Sequence, residues 1–187
     1  MNKELIKTYV SQVYDEAVLF RRYLHAHPEL SMKEKETTAY LASVLEKNSI
    51  PYTLNPAGHG LVARIRGTKP GKVLAFRADM DALPIQEETG LPFASENPGV
   101  MHACGHDCHM AVLLAFGLVM ARHPELIEGT VVLIFQPSEE KFPGGASPMI
   151  KAGLLDDVDA YYGYHVAPEL KTGEIGCKDG PVMASPT

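Results

Sequence analysis

The chain has 187 residues, enough for one ordinary domain with a core of its own. Hydrophobic residues make up 45 % and charged residues 21 %, a globular balance. The net charge of −6, with no basic cluster, argues against a nucleic-acid partner. The longest apolar run, at 111–120, is too short for a bilayer, and the N-terminus has no apolar signal core, so no membrane partner is expected. Three cysteines, Cys104, Cys108 and Cys177, do not make a disulfide scaffold and point to a reducing, cytoplasmic setting.

Residues 3–26 read as one helix, because Leu5, Tyr9, Val13, Ala17, Phe20 and Leu24 recur at spacings of three and four, and Pro28 ends it. Residues 33–47 read as a second helix. Strands are expected at 61–66 and 72–78; the glycine- and proline-containing turn between them predicts an antiparallel pair. Residues 79–101 form a long, proline-punctuated loop, a length that usually serves a function. The clearest apolar helix spans 106–121. The nearly all-apolar strand 130–136 fits the middle of a covered sheet. A short helix at 145–153 and a tyrosine-rich strand at 160–165 follow, with a further strand expected from Thr172 onward. This alternation predicts an α/β fold with a mixed central sheet flanked by helices.

Chemistry concentrates just after the strands. Asp79 and Asp81 follow the strand 72–78, Glu139 and Glu140 follow 130–136, and His165 closes 160–165. Open α/β sheets place ligand sites beyond the carboxyl ends of parallel strands, so these groups are expected to converge. The densest stretch is MHACGHDCHMA at 101–111. Thiolate and imidazole suit zinc and its first-row neighbours, and Gly105 lets Cys104 and His106 turn onto one centre. Cys104 could also be a buried structural thiol, His106 a loop histidine, Asp79 and Asp81 turn residues, and Glu139 and Glu140 solvated acids. Clustering favours ligation, because buried ionisable groups are usually paired or metal-bound. Cys108 reads as packing. His102 and His109 divide evenly between support and catalysis. His25, His27, His59 and His123 read as structural or surface residues, lying outside the acid- and thiol-rich clusters.

The stretches RRYLHAHPELS (21–31), FRADMDALPIQEETGLPF (76–93), MHACGHDCHMA (101–111), GTVVLIFQPSEE (129–140) and GYHVAPELKTGEIG (163–176) together resemble the M20 metallopeptidase family, in its amidohydrolase branch. The resemblance implies a two-metal catalytic domain using Mn²⁺, Zn²⁺, Co²⁺ or Ni²⁺. Cys104, His106, Glu140 and His165 would be ligands, Glu139 the general base and later acid, and Asp81 the acid supporting the centre. His109 would belong to the pocket wall or support the ligands from behind. The implied reaction splits the amide bond of a small N-acyl amino acid into a carboxylic acid and a free amino acid. Ser138 stands where many relatives carry alanine. Family members are about twice as long, so residues 1–187 are expected to be the incomplete N-terminal part of an exopeptidase-like catalytic domain. The lid and dimerisation domain, the returning segment with a last histidine ligand, and an oxyanion histidine would lie elsewhere. By itself the chain is expected to be inactive, and the whole protein to be a homo-oligomer. Rival readings are an exopeptidase or N-acetyl-diaminopimelate deacetylase, a thiol protein using Cys104 and Cys108, and a non-catalytic fragment.

Overall fold

The computed structural model describes residues 3–180. Five strands form one sheet: β1 (Tyr52–Leu54), β2 (Leu61–Arg66), β3 (Lys69–Asp79), β4 (Glu128–Gln136) and β5 (Ala160–Gly163), in the order β1-β2-β4-β3-β5. β4 runs parallel to β3 and antiparallel to β2, and β5 runs parallel to β3. The expected mixed sheet is therefore present, but β2 and β3 are not partners. β4 inserts between them, and the 67–71 turn straddles its start. Glycines make the crossing possible: a Cβ on Gly129 would lie 2.0 Å from the Lys72 carbonyl oxygen, and one on Gly67 equally close to that of Ile127. A turn rich in glycine and proline reports a reversal of direction; it does not report whether the two strands then pair.

β4 is central and covered on both faces, which explains its apolar run. Alternate residues Val131, Leu133 and Phe135 enter the main core, whereas Val132 and Ile134 enter a smaller one with Val62, Ala75, Met149 and Leu155. The main core lies beneath α2 (Tyr14–Ala26), α3 (Lys35–Lys47) and α4 (His106–Arg122); α5 (Ala146–Lys151) covers the other face. The expected helix 3–26 is two helices, α1 (Lys3–Ser11) preceding α2. Val13 leaves the helical path at φ −118° and ψ 0° and is buried, so the hydrophobic period runs through the break without recording it. β1 and the short 3-10 turn Pro124–Leu126 lie in stretches too short to show a pattern. No strand follows β5 through residue 180, and the end of the expected strand lies outside the described residues. Among the described residues no helix is long and apolar enough to cross a membrane.

Three parallel strands, β3, β4 and β5, thus end on one rim of the sheet. α4 starts at that rim with its first turn. Gly105 enters it in the left-handed region at φ +84°, and a Cβ there would lie 2.5 Å from Val166 Cγ2. The glycine serves both the turn that separates Cys104 from His106 and the close approach of the segment after β5. Gly105→Ala should cost about 1–2 kcal/mol for the left-handed backbone alone, and more as Val166 is pushed outward. Thermal denaturation reads the loss, and an unchanged melting temperature would show that the turn does not need glycine.

Candidate metal centre

The groups expected at the rim converge. His106 is fully buried, and its Nδ1 lies 2.7 Å from the Asp81 carbonyl oxygen, so Nδ1–H donates there. This fixes the tautomer and leaves Nε2 as the lone-pair nitrogen, with no partner in the protein. Around Nε2 lie Asp79 Oδ2 at 3.5 Å, Glu140 Oε1 at 3.7 Å and Glu139 Oε2 at 4.0 Å. Cys104 Sγ is 3.4 Å from His165 Nε2, while His165 Nδ1–H donates to the Val166 carbonyl at 2.8 Å.

Two donor sets result, each with its ligand atoms within 4.8 Å of one another: Cys104, His106 and Glu140; and Asp79, His106, His109 and His165. The four expected ligands are divided between these two sets, which share His106. Asp79, which by sequence could be a turn residue, a support or a ligand, stands among them. His109 is differently placed. Its Nδ1 is 2.5 Å from Asp79 Oδ1 and its Nε2 accepts the Val166 N–H at 3.1 Å, so both nitrogens already hold neighbouring groups in place. Asp81 supports from below: Oδ2 accepts the Ser31 hydroxyl at 2.6 Å and the Glu140 N–H at 2.9 Å. Glu139, 42 % exposed at its side chain, faces the rim beside these donors.

Electrostatics make the cluster a cation site. Burial works to raise Asp79, but the bond from His109 and the charges of Arg77 and His106 hold its carboxyl at about 2. Asp81, opposed by burial in the same way, is kept well below the carboxylate range by His106 and Ser31. Burial, then the Glu140 and Asp79 carboxylates, push Glu139 up. Burial and the contact with Glu140 push the Cys104 thiol up to about 12, so a cation binding there must displace its proton. The orphaned Nε2 of a histidine whose tautomer is fixed, a thiol beside it and carboxylates on two sides fit a pair of divalent cations. His106 offers one nitrogen, Nε2, as a donor.

A buried ionic network behind the site was not foreseen. His25 Nδ1 lies 2.7 Å from Asp107 Oδ2, which also accepts Arg21 Nε–H at 2.9 Å, and His25 Nε2 lies 3.1 Å from Glu87 Oε1. Asp107 chiefly, against burial, raises His25. The network pins the long 79–101 loop and α2 to the first turn of α4. His25 looked isolated because its acids are 62 and 82 residues away. Cys108, expected as packing, is half-buried, and its carbonyl accepts the Tyr164 hydroxyl at 3.0 Å.

Acids, imidazoles and a thiol at the C-terminal rim of a mixed sheet define an α/β protein with a two-cation site. Residues 75–182 match the family model described as Peptidase family M20/M25/M40, and the chain belongs to that family. It is 46 % identical over 186 residues to an N-acyl-L-amino acid amidohydrolase of Geobacillus stearothermophilus, covering all of this chain and 50 % of the relative. It is 44 % identical to thermostable carboxypeptidase 1 of Saccharolobus solfataricus, over 98 % of this chain and 47 % of the relative. The crystal structure of the YXEP protein of Bacillus subtilis, described as a dinuclear metal binding peptidase from the M20 family, matches with a TM-score of 0.85 at 44 % identity. That match covers 94 % of this chain and 48 % of the other. The chain spans about half the length of the curated relatives it matches.

Proposed function

We propose that this chain is the metal-binding part of a hydrolase that splits the amide bond of N-acyl amino acids. The observation that carries the reading is the unpartnered Nε2 of His106, with Cys104, Glu140, Asp79 and His165 gathered about it and Glu139 at 4.0 Å. Cys104, His106, Glu140 and His165 would hold the cations, with Asp79 available as a carboxylate ligand. Bound cations supply Lewis acidity, which polarises a carbonyl and acidifies water. As water adds to the amide carbon, Glu139 takes its proton and then delivers it to the departing amine nitrogen, leaving a carboxylic acid and a free amino acid. The rise in the Glu139 carboxyl suits a group that must act as base and then as acid. Asp81 orients His106 and the Glu140 backbone. The remaining length of the relatives is where a further histidine ligand, the oxyanion histidine and a lid domain are assigned in this reading.

The test is hydrolysis of N-acetyl amino acids, N-benzoyl amino acids and dipeptides by the intact protein containing this chain. Activity should vanish on chelation, return with Mn²⁺, Zn²⁺, Co²⁺ or Ni²⁺, and be greatest on acyl amino acids. A preference for dipeptides would favour the exopeptidase reading, for which the carboxypeptidase relative speaks. Activity that survives chelation but not thiol alkylation would overturn metal catalysis.

A further inference from the structure

Glu34 is fully buried and lies one residue before α3, where an acidic side chain ordinarily caps its own helix. It does not. The α3 amides of Glu36 and Thr37 are taken instead by the Glu29 carboxylate, at 3.2 and 2.7 Å. Glu34 turns the other way, to a residue 104 positions along the chain. Its Oε1 accepts the Ser138 N–H at 2.6 Å and the Ser138 hydroxyl at 3.2 Å. The same hydroxyl oxygen accepts the Met32 N–H at 2.7 Å.

Ser138 is in the left-handed region at φ +51°, one of three non-glycine residues in the described chain with positive φ. Such a conformation costs a non-glycine residue about 1 kcal/mol or more and persists where surrounding bonds hold it. The next two residues are Glu139 and Glu140. The handed turn at Ser138 therefore sets the direction in which both acids leave β4. On the far side, the Glu140 N–H is held by Asp81, itself held by Ser31. The 29–34 segment is in turn fastened to the strand end, with the Ala82 N–H donating to the Glu29 carbonyl at 2.8 Å. Burial pushes the Glu34 carboxyl up, the cost of keeping an acid in a place whose bonds run to one serine.

We infer that Glu34 is a positioning residue that holds the left-handed turn at Ser138 and thereby aims Glu139 at the water it deprotonates. The inference rests on the reading of Glu139 as base. The clamp itself is independent of that reading. In Glu34→Ala the turn at Ser138 loses its acceptor, while every residue of the site keeps its identity. In the metal-loaded intact protein, kcat should fall about a hundredfold with KM within about twofold, the effect of a catalytic group displaced by about an ångström. Glu34→Gln keeps an oxygen for the Ser138 N–H and should recover most of kcat. Adding Ser138→Gly to Glu34→Ala should recover part of it, because glycine takes positive φ without help. Hydrogen exchange on this chain should show the amides of 138–140 opening about tenfold faster in Glu34→Ala while those of β4 and α4 stay unchanged. Equal acceleration at every amide, or local acceleration without loss of kcat, overturns the positioning role. A wild-type protein with no hydrolytic activity removes the Glu139 reading, and the exchange pattern then decides the clamp by itself.

Discussion

Glu139→Gln should lower turnover by about 10²–10⁴-fold, the range for loss of a positioned acid–base group, and leave metal content near normal. Glutamine keeps the shape of the side chain but can neither take a proton nor return it. The cation ligands should survive the change. The neighbouring Glu140 is steered by its own backbone, whose N–H is fixed to the Asp81 carboxylate, and the remaining donors come from other elements. Glu139 is also the more exposed of the two acids at the side chain, 42 % against 24 %, as a group that meets substrate should be. The measurement is kcat together with metal analysis of the purified variant. Loss of bound metal from Glu139→Gln would exchange the roles of Glu139 and Glu140.

Asp79→Ala should be among the most destabilising changes at the rim, by about 3–5 kcal/mol, the cost of removing one partner from a buried ionic group. The Asp79 side chain is 1 % exposed; it receives His109 Nδ1–H and the Arg77 guanidinium, at 2.5 and 2.7 Å. Without it His109 loses its tautomer lock, and with that the hold of its Nε2 on Val166. The pH dependence has a definite sign. The carboxyl is held at about 2 in the fold against an ordinary value of 3.8, so its contribution is complete above pH 3.8 and is lost as pH falls through about 2. Urea denaturation of chelator-treated wild type and variant should therefore give a difference that is constant from neutrality to about pH 4 and narrows below it. A difference under about 1 kcal/mol, or one that does not narrow in acid, would show that the network does not stabilise the fold.

The rim was legible in the sequence because strand periodicity marks where each strand ends, and unusual polar residues at three such ends stand out. Cys104 and His106 were legible for the same local reason, two metal-binding side chains around a glycine. What the sequence did not carry is long-range pairing. Insertion of β4 between β2 and β3 depends on which edge the later strand joins, and nothing in the 67–71 turn encodes that. The break at Val13 was hidden because a buried residue keeps the helical period even where the backbone leaves the helix. Glu34 and His25 escaped for one reason: each is an ordinary polar residue in a helix-edge context, and its partner lies 104 or 82 residues away.

His165 lies just past an edge strand, on a stretch whose residues are mostly exposed. That stretch is fastened to the start of α4 by the Tyr164 hydroxyl on the Cys108 and His109 carbonyls and by the Val166 N–H on the His109 Nε2. A cation shared between His165 and donors of the 104–106 turn would be one more fastening, a removable cross-link between segments about sixty residues apart. Its free energy of binding adds to the work of peeling this last stretch away, and does so in proportion to the logarithm of free cation concentration. With such a cation bound, the integrity of the sheet's β5 edge would depend on metal supply as well as on packing.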